Sequence, residues 1–142
     1  MKILLAVDGS KHSLKAAKYL ARHARAYRKR PQVELVYVQR PLPDLPNMRM
    51  VVGGAQIREY YEEMGSAALS KAKKLLSAAG IRLVARVFVG DAGYTIAREA
   101  VRTRCDLIMI GSRGMTAAAN LVLGSIATKV LHVSSLPVMV VK

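Results

Sequence analysis

The 142-residue sequence has little cysteine and little acid. Its one thiol, Cys105, cannot close an internal disulfide. Two readings of that residue are open: a small buried side chain at the start of a strand, or a reactive thiol. No apolar run reaches the roughly 18 residues that a membrane span needs. Residues 1–8 carry no secretory pattern, because the apolar text from Ile3 runs directly into Asp8 with no cleavage site. These absences imply a cytoplasmic protein. Nine acids face 23 lysines and arginines, for a net charge of +14. Such an excess attracts polyanions, whether nucleic acid, anionic membrane or phosphorylated metabolites, without choosing among them. The three histidines, His12, His23 and His132, lack metal-ligand spacing with one another or with the cysteine and the carboxylates. Serine, histidine and aspartate occur only as scattered letters, so no nucleophilic triad is indicated. Low-complexity segments and repeats of 20–50 residues are also missing.

What is present suits one α/β domain over residues 1–142, with 52% hydrophobic residues. Lys2–Asp8 reads as strand one, apolar throughout, as a strand covered on both faces must be. Ser10 is a plausible N-cap for a first helix reaching about Arg28. Gln32–Gln39 is strand two. Pro41, Pro43, Pro46, Gly53 and Gly54 then mark an irregular loop of about fifteen residues that also carries Met48, Arg49 and Met50. A flap over a ligand and a disordered connector both fit it. Helix two runs from about Gln56 to Ala79, with Gly80 as its C′ residue. Ile81–Val89 is strand three, and Asp91 caps helix three, about Gly93–Thr103. Leu107–Ile110 is strand four, and a short helix follows Ser125. Leu136–Val141 is the last strand, introduced by Pro137. Strict alternation argues a three-layer α/β/α, Rossmann-like fold with a five-stranded parallel sheet. An order of 3-2-1-4-5 makes the last strand an edge, which predicts a homodimer paired through strand 136–141.

One face of the first helix collects cations. Lys11, Lys15, Lys18, Arg22, Arg25 and Lys29 fall within an arc of roughly 80°, predicting a ridge about five turns long. A solvated helix face and a surface that tracks nucleic-acid phosphates both fit. No aromatic residue interleaves with these cations, so base stacking is not indicated.

The stretch Cys105–Ile126 carries the most chemistry. Its strand is followed by Gly111, Gly114 and Gly124, with Arg113 between the first two and Ser125 after the last. Glycines permit positive φ and close approach of backbone to a ligand. Successive backbone N–H groups make an anion cradle, and Ser125 as an N-cap would open a helix whose free N–H groups suit phosphate. A plain tight turn followed by a plain helix start fits the same letters. The spacing is neither a Walker A loop nor a Gly-x-Gly-x-x-Gly fingerprint. Asp8, Val38 and Gly111 all lie at the carboxyl ends of strands, where ligands bind in open parallel sheets. A carboxylate at that rim suits either ribose hydroxyls or a structural helix entry.

Gly111-x2-Gly114-x9-Gly124-Ser125 resembles the nucleotide motif of the universal stress protein family, in its ATP-binding branch. The resemblance extends to Ile3–Ser10 and Pro137–Val141, nearly the whole chain. It implies a regulatory, ATP-binding protein of the stress response, with Mg2+ held mainly by the phosphates. Carried over residue by residue, it places Asp8 on the ribose, with Val7 beside it, and the Val38 backbone on adenine. Ala6 and Ile110 fall in the adenine pocket. Gly111, Ser112, Arg113, Gly114, Met115, Thr116 and Ala117, and then Gly124, Ser125, Ile126 and Ala127, surround the ribose and phosphates. No residue stands out to activate water on a γ-phosphate. Turnover is therefore open, limited at most to slow hydrolysis or self-phosphorylation. Lys129 has two readings, a phosphate partner or a surface lysine. The rival function is a basic, nucleic-acid-associated protein with no nucleotide site.

Overall fold

Strands that are apolar on both sides need cover on both sides, and the chain order supplies it. β1 (Lys2–Ala6), β2 (Gln32–Gln39), β3 (Leu83–Val89), β4 (Leu107–Gly111) and β5 (Val138–Val141) form one parallel sheet in the order β3-β2-β1-β4-β5. Helices α1 (Lys11–His23), α2 (Gly54–Ala78), α3 (Ala92–Arg102) and α4 (Ser125–Val133) alternate with the strands. The computed structural model describes residues 1–43, 53–115 and 122–142. The middle of the irregular loop expected between strand two and helix two, including Pro46 and Met48 to Met50, lies outside them, while Gly53 caps α2 and Gly54 begins it. No helix among the described residues is long and apolar enough to cross a membrane.

The pleat divides β1 between two cores. Ile3, Leu5 and Val7 pack under α1 and α2, against Ala16, Ala17, Leu20, Ala72 and Leu76. Leu4 and Ala6 face the other way, toward Ile96 and Ala100 of α3 and Ala127 and Val130 of α4. Ile3, Leu4 and Leu5 are fully buried, each contributing about 1.5–3 kcal/mol of burial free energy. The helical contact positions are largely alanine, which lets helix backbones approach the sheet closely.

One charge sits within the sheet. Glu34 of β2 is only 3% exposed. It meets Lys2 Nζ at 2.8 Å and Arg86 Nε at 3.2 Å, tying β1, β2 and β3 together. Burial pushes its carboxyl up, but the hydrogen bonds and charges of Lys2 and Arg86 outweigh this and hold it below the ordinary glutamate range. Cys105 is buried and free. Burial pushes its thiol up, which suits an inert packing residue rather than a nucleophile.

Several sequence-based bounds shift. The first helix stops at His23 and tightens into a 3-10 turn, Ala24–Ala26, instead of reaching Arg28. Tyr27 is already extended, with ψ 134°. The chain must enter β2 through Pro31, whose ring disfavours helix in the preceding residue. The cationic ridge is shorter accordingly: Arg25 lies in the 3-10 turn and Lys29 beyond it. β3 begins at Leu83 and β5 at Val138, leaving Leu136 and Pro137 outside the ladder. Gly111 is the last residue of β4 rather than the first beyond it, pairing with Val141. Ser10 caps α1 as predicted, accepting from the Ser13 N–H at 3.1 Å. Asp91 caps α3 likewise, accepting from Tyr94.

Candidate functional site

β1 leads to β2 on one side, while β4 lies on its other side, so the chain diverges at the carboxyl ends of β1 and β4. That divergence leaves a crevice. A cleft of about 580 Å³ opens there, with Asp8 the sole carboxylate among its described lining residues.

Asp8 ends the apolar run of β1. Its Oδ1 accepts from the Ser10 N–H at 3.0 Å, and its Oδ2 accepts from the Met115 N–H at 2.9 Å. Its own N–H donates to Ser13 Oγ at 3.3 Å. The carboxylate therefore fixes the turn into α1 and holds the start of the loop after β4. Each oxygen keeps lone-pair capacity for further donors. Gly9, at φ +81°, supplies the left-handed residue this turn requires.

The glycines of the motif act by space rather than by handedness. Neither Gly111, Gly114 nor Gly124 takes a positive φ, contrary to the expectation from sequence. A Cβ on Gly111 would sit 2.6 Å from the His12 carbonyl oxygen and 2.8 Å from the Ser13 nitrogen, so this glycine lets β4 touch the start of α1. A Cβ on Gly114 would lie 2.7 Å from Asp8 Oδ2. One on Gly124 would come 3.3 Å from the Arg113 Cα and 3.5 Å from the Gly114 nitrogen. The three glycines thus bring α1, the Asp8 carboxylate, the loop after β4 and the start of α4 together.

Ser125 is not the N-cap of α4. Gly124 holds that position without a side-chain bond, and Ser125 is the first helical residue. The Gly124 N–H is committed to the Ser112 carbonyl at 2.7 Å, which anchors the helix entry one residue earlier than the side-chain chemistry suggested. The first turn of α4 still presents N–H groups to the cleft, as any helix start does.

Most sequence-predicted site residues line the cleft: Ala6, Val7, Asp8, Val38, Ile110, Gly111, Arg113, Gly114, Met115, Gly124, Ser125, Ile126 and Ala127. Ser112 does not. It is 3% exposed and is built into the scaffold by its backbone, its N–H donating to the Val141 carbonyl at 2.8 Å. Thr116 and Ala117 lie outside the described residues. Lys129 bonds Asp91 at 2.8 Å and lies 4.3 Å from the centre of the Tyr94 ring, away from the cleft. Its hydrogen bond, then the Tyr94 N–H, hold the Asp91 carboxyl below its ordinary range.

Sequence reasoning missed Ser13, Tyr37, Arg40, Met64 and Ala67 in the lining. Arg40 could have been found, because it directly follows β2 at the same rim as Asp8. Met64 and Ala67 come from α2, and nothing local to that helix shows it leaning over the rim. Burial, with the nearby Tyr60 and Asp8, pushes the Tyr37 phenol up. It stays neutral and donates to the Gln39 side chain.

Known proteins share this fold. A model of the universal stress protein family matches residues 1–142. A universal stress protein of Methanocaldococcus jannaschii is 33% identical over 144 aligned residues, which cover 99% of this chain and 81% of that protein. The solved structure of hypothetical protein MJ0577 superposes with a TM-score of 0.80 at 26% identity, covering 99% of this chain and 94% of the other. A universal stress protein family protein from Arabidopsis thaliana with AMP bound has a TM-score of 0.71 at 20% identity, covering 100% and 91%.

Proposed function

The chain belongs to the universal stress protein family, and from that premise we propose that it binds ATP in the cleft above β1, β2 and β4. It acts as a regulatory protein of the stress response. The observation that carries this reading is that the Asp8 carboxylate, the Gly111–Gly114 loop it holds and the start of α4 line one largely apolar cleft. Ala6, Val38 and Ile110 offer the apolar wall that an adenine needs. Asp8 offers acceptors for ribose hydroxyls. Arg113, Arg40 and the α4 N-terminus offer positive potential to phosphates. The AMP-bound relative supports an adenine nucleotide as the ligand class.

Mg2+ would enter on the phosphates. Binding is the activity proposed. The protein works as one domain in the cytoplasm, a setting that suits a buried, free thiol.

Calorimetry tests the reading. ATP with Mg2+ binds the unmodified chain, and Asp8→Ala weakens it by about 1–3 kcal/mol, the scale of hydrogen bonds to a charged group. 2′,3′-Dideoxy-ATP loses a similar amount against the unmodified chain and little more against Asp8→Ala. Equal affinities of the unmodified chain for ATP and the dideoxy analogue would remove Asp8 from the ribose.

A further inference from the structure

A second depression, of about 390 Å³, lies at the opposite rim of the sheet, where the strands begin. It is lined by Arg22, Arg25 and Arg30 together with Ala21, Ala78, Ala79 and Gly80. Its walls hold three cations and no carboxylate. The remaining lining side chains are no larger than a methyl group, so the guanidinium groups surround open space.

The position has a local explanation for one arginine. α2 ends here with no basic residue in its last turn. Arg30 Nη1 donates to the Gly80 carbonyl at 3.3 Å and answers that helix end. Gly80 stands at φ +68°, and a Cβ on it would collide with the Arg30 guanidinium, so the glycine opens the seat for this side chain. Arg22 and Arg25 are exposed, and among the described residues neither guanidinium has a hydrogen bond or an ion pair. They are three residues apart at the end of α1 and the 3-10 turn, where like charges repel. The switch from α-helix to 3-10 turn at Ala24 takes Arg25 off the straight ridge predicted from sequence, and it lines this depression.

We propose that this depression is a second anion site, built for the di- or triphosphate group of a free small molecule. Three guanidinium forks match several phosphate oxygens bidentately, and a charge of about −3 to −4 offsets their mutual repulsion. An open depression of about 390 Å³ with three clustered cations and no aromatic lining suits a compact oligophosphate better than a nucleic-acid strand, which needs a continuous track. The site stands apart from the nucleotide cleft, so its test is independent of the function proposed above.

The test is an NMR titration of the full chain with inorganic tripolyphosphate at 0.15 M salt, where attraction beyond about 8 Å is screened. The arginine Nε–H signals of Arg22, Arg25 and Arg30 and the amides of Ala79 and Gly80 shift together and saturate. Arg22→Gln with Arg25→Gln abolishes these shifts. Arg22→Lys with Arg25→Lys, which keeps the charge and loses the forks, weakens binding at least tenfold. Both pairs keep the circular dichroism of the unmodified chain, since the side chains are exposed. Three results would overturn the site: shifts that never saturate, a lysine pair that binds as tightly as the arginines, or duplex DNA displacing tripolyphosphate at equal phosphate concentration.

Discussion

Gly111 and Gly124 share one motif, yet a methyl group at each would meet different neighbours. At Gly111 it would strike backbone atoms of His12 and Ser13, which cannot swing aside. Gly111→Ala should therefore lower stability by about 1–3 kcal/mol, the scale of an overpacked core, visible as a reduced urea midpoint. At Gly124 a methyl would meet Arg113 and Gly114 at distances that need only a few tenths of an ångström of adjustment. The branched side chain of Gly124→Val would wedge the loop after β4 away from α4. It should weaken ATP at least tenfold while costing less stability than Gly111→Ala, as calorimetry and denaturation of the two variants would show. The motif was legible as glycines where backbones approach closely, but the reason for each was not: close packing is a property of neighbours far along the chain. Asp8 was legible because an apolar run ended on it at a strand terminus. The family resemblance placed Ser112 among the site residues. Its burial depends on β5, whose Val141 carbonyl receives its N–H.

At the scale of elements, the alternation of apolar runs and helical periodicity yielded the described strands and α-helices in order, without the 3-10 turn after α1. The expected sheet order 3-2-1-4-5 is the one found, though the alternation alone implied only a parallel sheet. Ends were harder. The α1 terminus is set by the route to Pro31, and the α4 cap by the bond from Gly124 to Ser112. Side-chain propensities at the two ends carry neither constraint. The link joining β1, β2 and β3 was also hidden, since Glu34 reads only as a polar letter within a strand. Because its folded carboxyl is held low by Lys2 and Arg86, its stabilisation is present above the unfolded value of about 4.3. It is lost as the pH falls through the folded value. Glu34→Gln should cost about 1–3 kcal/mol at neutral pH. The difference from the unmodified chain should shrink as acid protonates Glu34. Denaturation series at several pH values check this, and a difference independent of pH would assign the effect to packing alone.

At the scale of the whole molecule, the two proposed sites lie at opposite rims of one sheet. Strand ends carry the Asp8 cleft, and strand beginnings carry the arginine depression. β5 closes one edge of the sheet, and its antiparallel pairing with a second copy is the proposed dimer. Val138 and Val140 are half-buried on the side of α3 and α4. Changing both to lysine should give a monomer by light scattering, with circular dichroism confirming that the fold survives. A folded variant that remains dimeric would move the interface elsewhere. The charge of +14 opposes association, and the dimer should strengthen with salt for that reason. The same charge keeps the nucleic-acid rival in view, and one measurement separates it from the central claim. Amide NMR signals of the full chain are followed during titration with ATP and Mg2+ at 0.15 M salt. If ATP occupies the cleft, saturable shifts appear at Ala6, Asp8, Val38, Gly111, Gly114 and Gly124, with an affinity that changes little as salt rises. Shifts confined to Lys11, Lys15 and Lys18 that fade with added salt, while the cleft signals stay fixed, would contradict it.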